Sequence, residues 1–212
     1  MAAPDALLFI SSHCPNCPAV LAALAEMVKT GRLGELRVVN VEQRPEIAQA
    51  LGVRAVPWVR LGPFQLTGLR SRQELETWAV RAGSESGIAE GFHVMLKDGA
   101  LDPVIAAVRE DPARLAAILP IVANPEASLN VRIGAGAVLE AFTGEPALRA
   151  LIPRLAELSV HADPRVRADA CHYLGLTGDP AVRPILQARL DDPDADVREI
   201  AAESLAALPV EA

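Results

Sequence analysis

Two cysteines three residues apart, Cys14 and Cys17, are the side chains here best suited to chemistry. They lie in Ser12-His13-Cys14-Pro15-Asn16-Cys17-Pro18, after a short apolar run, Ala6 to Ile10, and before an apolar helical pattern from Ala19 to about Lys29. A Cys-x-x-Cys pair at a strand-to-helix junction reads as a dithiol redox site. Residues three apart share a helix face, so the two sulfurs can close a small disulfide. A helix N-terminus adds unpaired N–H groups and a partial positive charge, and both favour a thiolate. This predicts Cys14 at the exposed start as the attacking sulfur and Cys17, one turn inside, as the resolving one. Pro15 costs little where donors are already orphaned. His13, an exposed turn residue, is also a candidate to lower the Cys14 pKa. A metal pair is the competing use of two such cysteines, but structural zinc needs two more ligands, and none stand at the usual spacing.

The third cysteine, Cys171, follows Ala170 on an apolar stripe and is predicted to be a buried, inert thiol. Exchange with Cys14 is its sharper alternative. His161 and His172 flank it without completing a ligand set. One close pair plus one lone cysteine is not a secreted disulfide framework, and with no basic n-region before Ser12 it points to the cytoplasm. No window reaches the roughly 18 apolar residues of a membrane helix, so no membrane partner is expected.

The charge balance is −7, from 20 basic and 27 acidic residues, and it is uneven. Up to Gly87 there are 9 basic and 8 acidic residues; beyond it, 11 and 19. The acidic second part argues against a nucleic-acid surface there. Few aromatics and abundant alanine suit close-packed helices. The polar stretch from Ala82 to Gly87 marks a boundary, giving domains at 1–85 and 86–212.

The elements that must position the cysteines follow in order. Strands are predicted at Ala6–Ser11, Leu36–Val41, Trp58–Leu61 and Phe64–Leu66. Helices are predicted from Cys14 to Lys29, from Pro45 to Leu51, and from Ser71 to Arg81, the last opened by Ser71 and Glu74 at capping-box spacing. The order is β-α-β-α-β-β-α, a parallel βαβ crossover followed by a hairpin. With Gly52-Val53-Arg54-Ala55-Val56-Pro57 before the third strand, this α/β domain resembles the thioredoxin family over about residues 5–82. It looks closer to glutaredoxin-like and small thioredoxin modules than to thioredoxin itself, and it also resembles the N-terminal dithiol domain of alkyl hydroperoxide reductase flavoproteins. The resemblance implies a cis Pro57 and substrate pairing to the backbone of Val56, with Pro15 and Asn16 completing the substrate-binding set. Here His13 and Pro15-Asn16 replace the Trp and Gly-Pro of thioredoxin, and the family's buried acid has no evident counterpart.

From Asp111 the chain repeats. Prolines at 120, 153 and 184 are 33 and 31 residues apart. Val131-Arg132, Val166-Arg167 and Val197-Arg198 each open an alanine-rich helix, predicted at Ile133–Phe142, Ala168–Leu176 and Glu199–Leu208. Ile88–Lys97 and Pro103–Arg109 read as two leading helices. Helix-turn-helix units at this period make an α-solenoid. The phrase from Asp163 to Ala170 resembles HEAT repeats of the short phycobilisome-lyase type. Arg132, Arg167 and Arg198 are predicted to bond loop carboxylates or carbonyls of adjacent units. Gly134, Gly136 and Ala170 are predicted to allow close helix approach.

Together these readings imply a thioredoxin-like domain followed by an all-α HEAT-like solenoid, acting as a thiol–disulfide oxidoreductase. The expected partners are a protein disulfide substrate and an external reductant, a flavoprotein reductase or a dithiol protein. No cofactor and no metal is expected. The alternative is a redox-sensing scaffold without turnover.

Overall fold

The computed structural model describes residues 3–209. The chain divides into two compact units, with the division between Gly91 and Phe92.

In the first unit, β1 (Ala6–Ile10) alternates its side chains between two apolar clusters, as a strand buried on both faces must. Ala6 and Leu8 join Val20, Leu24 and Met27 of α1 (Cys17–Lys29) and Leu75 and Ala79 of α3 (Arg72–Ala82). Leu7 and Phe9 face Val39, Trp58 and Ala48 of α2 (Pro45–Ala50). β2 (Leu36–Asn40) pairs parallel with β1. β3 (Trp58–Leu61) pairs antiparallel with it and forms a hairpin with β4 (Phe64–Thr67). The sheet order is β2-β1-β3-β4. Ser71 caps α3 through the full capping box with Glu74.

Two local expectations change. The helix begins at Cys17, not Cys14, so Cys14 lies in the preceding turn and the pair straddles the turn and the first helical residue. The proline in the first helical turn is therefore Pro18, not Pro15. The stretch read as a linker also differs. Ser84 accepts the Gly87 N–H (3.0 Å) and opens α4 (Glu85–Lys97), within which the two units divide.

The second unit is helical. After α5 (Leu101–Glu110), each repeat has a broken first helix and a continuous second one. The first helices are the 3-10 segment Pro112–Ile118 with α6 (Leu119–Val122), α8 (Pro146–Arg149) with α9 (Ile152–Leu158), and the 3-10 turn Pro180–Val182 with α11 (Arg183–Gln187). The periodic prolines at 120, 153 and 184 sit at the second position of α6, α9 and α11. A proline there has no N–H to lose, whereas inside an unbroken helix it would remove a bond and clash with the turn before.

The second helices are α7 (Leu129–Glu140), α10 (Pro164–Leu176) and α12 (Ala195–Ala207). All three start a few residues before the predicted points; Asp163 and Asp194 cap α10 and α12 by accepting the N–H groups of Arg165 and Asp196, while Ser128 precedes α7 without a side-chain cap bond. The arginine expectation holds in part: Arg132 and Arg167 reach carboxylates of the following unit, one of them on a helix, whereas Arg198 turns back onto its own unit. Arg132 meets Asp169 (2.6 Å), Arg167 forks onto Asp192 (2.7 and 2.9 Å), and Arg198 donates to the Asp192 and Pro193 carbonyls. Tyr173 lies over Gly136, and Ser204 over Gly175, at distances that leave no room for a Cβ without displacement. Gly144 turns at φ +70°, and its N–H reaches the Leu176 carbonyl of the next unit (2.9 Å).

Candidate functional site

The register of the sheet brings the candidate residues to one end. Phe9 stands opposite Trp58, which puts Pro57 level with Ile10, where the chain leaves β1 toward Cys14. Ile10 stands beside Asn40 on the other side, so the loop after β2 departs from the same end. The Val56–Pro57 peptide bond is cis, as the resemblance implied, and the Pro57 carbonyl accepts the Gly68 N–H (2.8 Å). Trp58 itself is core, packed edge-on to Phe9.

Cys14 and Cys17 are joined in a disulfide, with Cα atoms 5.5 Å apart. Their surroundings differ. Cys17 is buried under α1, while Cys14 is half-buried and the intervening Pro15 and Asn16 are exposed. Asn16 occupies the cap position without a side-chain cap bond. The first helical N–H, that of Cys17, points at the Cys14 sulfur (3.1 Å). This N–H, which no carbonyl within the helix can satisfy, also lies within reach of the Cys14 carbonyl (3.4 Å). Val56 is half-buried and Pro57 buried beside this end of the sheet.

The residue that sequence reasoning missed is Glu42. Its carboxylate accepts the Ser12 N–H (3.1 Å) and the Ser12 hydroxyl (2.6 Å). His13 Nδ1 lies 3.6 Å away, so His13 faces this carboxylate with its side chain almost wholly in solvent. The Ser12 hydroxyl above all, then the Ser12 amide and His13, hold the Glu42 carboxyl below its ordinary range. Asn40 completes the circuit, accepting the Glu42 N–H (2.8 Å) and donating to the Ser12 hydroxyl oxygen (3.4 Å). The signal was there only as a polar pair, Asn40 and Glu42, at the end of a strand predicted to lie beside β1.

The remaining candidates fall elsewhere. Cys171 is fully buried in α10, and burial pushes its thiol up to about 11. His172 turns to Glu140 (3.5 Å), and His161 accepts the Asp163 N–H. Among the described residues, no three His, Cys, Asp or Glu side chains are grouped to hold a metal ion, and Asp192 of the second unit is the one buried carboxylate. No helix of the described residues is long and apolar enough to cross a membrane.

Comparison with known families agrees with this division. Residues 7–79 match the thioredoxin domain family, and residues 115–206 match HEAT repeats. No curated protein matches the chain. The chain therefore carries a thioredoxin domain, with Cys14 and Cys17 as its cysteine pair, followed by HEAT repeats.

Proposed function

We propose that the protein is a thiol–disulfide oxidoreductase that works on protein disulfides. The observation that carries this reading is the Cys17 N–H directed at the Cys14 sulfur within a closed Cys14–Cys17 pair. In the reduced form the Cys14 thiolate attacks one sulfur of a substrate disulfide. The substrate S–S bond breaks, a Cys14–substrate S–S bond forms, and the departing substrate thiolate takes up a proton. Cys17 then gives up its proton and attacks the Cys14 sulfur, releasing the second substrate thiolate. The substrate gains two electrons and Cys14–Cys17 is oxidised. A dithiol protein or a flavoprotein reductase restores the pair by the same exchange.

The exposed Pro15 and Asn16 and the backbone of Val56 beside the cis Pro57 form the face on which the substrate chain lies. Only Cys14 is open enough to meet it, so the two sulfurs have fixed roles. The HEAT repeats hold the protein partner near the pair, raising its effective concentration. The domains act as 1–85 and 86–212, in the reducing cytoplasm, where such a pair cycles.

Insulin reduction by the full chain with dithiothreitol as reductant tests this. Wild type is expected to turn over, and Cys14→Ser and Cys17→Ser to lose turnover. Cys17→Ser is expected to accumulate a mixed disulfide on Cys14. Wild-type protein without turnover, but binding a partner only in one redox state, would replace the enzyme by a redox-sensing scaffold.

A further inference from the structure

Resting on that dithiol reading, we propose that Glu42 is a positioning residue for the Cys14 thiol: its carboxylate holds the Ser12–His13 segment so that the Cys14 sulfur stays against the Cys17 amide once the disulfide is opened.

The argument starts from what locates Cys14. In the oxidised state the sulfur is tied covalently to Cys17 at the start of α1. Reduction removes that tie. The Cys14 backbone is then placed by two long bonds, from its N–H to the Ser11 carbonyl and from the Cys17 N–H to its own carbonyl (both 3.4 Å), and by the course of residues 11–13. The β1–β2 ladder ends at Ile10 and Asn40, with the Val41 N–H bonded to the Ile10 carbonyl (2.9 Å). Beyond this point Glu42 continues the tie. One carboxylate takes both a main-chain and a side-chain donor from Ser12, two residues before Cys14. Charge-assisted bonds of this kind are about twice as strong as neutral ones.

The clamp is also well insulated from competitors. Arg44, the nearest cation on its own segment, gives its guanidinium to Glu46 (3.0 Å). The His13 imidazole faces Glu42 from the β1 side, and Asn40 orients the pair without charge. The clamp therefore acts on the loop that leads into Cys14, and it does not touch the sulfur itself.

The test is alkylation of reduced protein with iodoacetamide across pH 5 to 9, with Cys14 followed by peptide mass. It needs no substrate. In Glu42→Ala the midpoint of the Cys14 profile is expected to rise by about one pH unit, and the rate at neutral pH to fall several-fold, as the sulfur loses its amide donor. Glu42→Gln keeps an oxygen that accepts from Ser12, and is expected to recover most of the shift. Ser12→Ala removes only the hydroxyl bond and is expected to fall between. If Glu42→Ala does not fold, the last two variants decide the matter. Profiles that overlay wild type in all folded variants would overturn the proposal, as would Glu42→Gln behaving no better than Glu42→Ala. Wild type failing to reduce insulin while these shifts persist would remove the oxidoreductase reading and leave the positioning role intact.

Discussion

In the first unit a cysteine stands half-exposed in a turn, with a helix-start N–H on its sulfur; in the second, Cys171 lies fully buried inside α10. The acids of the two units differ in the same way. Glu42 is an exposed carboxylate held by a hydroxyl, an amide and an imidazole. Asp192 is sealed in, its side chain 1% exposed, and gripped by both ends of the Arg167 guanidinium with Arg189 nearby. The lesson is that one chain uses the same two residue types for opposite ends. Where sulfur and carboxylate meet water they remain available to exchange partners. Where they are buried, the sulfur is shut in the core and the carboxylate ties one repeat to the next.

The strongest way to break that contrast is to exchange one cysteine for the other in the same assay. Cys14→Ala is expected to remove disulfide reduction, and Cys171→Ala to leave the turnover of the full chain unchanged. Native alkylation at pH 8 should label Cys14 within minutes of reduction, and Cys171 only in denaturant, since burial keeps its thiol neutral. Next in size is the buried pair. Asp192→Ala removes the carboxylate from Arg167, which is 11% exposed and keeps the His161 and Ala162 carbonyls, and is expected to cost about 3–5 kcal/mol. Urea unfolding followed by circular dichroism should show it. Trp58 and Trp78 both belong to the first unit, so their fluorescence transition is expected to move much less.

A smaller effect sharpens the comparison through pH. The Cys171 thiol is pushed up from 9.0 to about 11, so the unfolded chain loses that proton first. Stability of the second unit is therefore expected to fall as pH rises from about 9 to 11, and Cys171→Ala should flatten that slope. The smallest change lies at the acid side. Arg165 first, with its own N–H, holds the half-buried Asp163 down to about 2. Its contribution is present above the ordinary 3.8 and is lost as pH falls toward 2. Arg165→Ala should move the onset of acid unfolding slightly upward, as read by circular dichroism.

The residues that were legible in the sequence share a local cause. Cys14 and Cys17, the Ser71–Glu74 box and the Val-Arg pairs carry their meaning in a few neighbouring positions. Pro57 became legible through its distance from the cysteines and the strand after it. Glu42 was not legible, because it meets Ser12 across 30 residues, and only the parallel β1–β2 register brings them together. Arg149 and Arg183 were missed for the same reason. They reach the Thr177 carbonyl and the Leu208 and Pro209 carbonyls at the ends of the following second helices. The stretch from Ala82 to Gly87 was hard to read for a different reason. Two glycines within a polar run suggest slack chain, but Ser84 followed by Glu85 is also how a helix opens, and tertiary packing chose the helix.

The unequal burial of the bonded sulfurs gives the disulfide a single door. Cys17 shows 4% of its surface. A small thiol such as glutathione is therefore expected to add at Cys14 and not at Cys17. Peroxide damage to the opened pair will begin on that side too, leaving the deeper sulfur to rescue its neighbour by closing the ring before oxidation runs on to an irreversible acid.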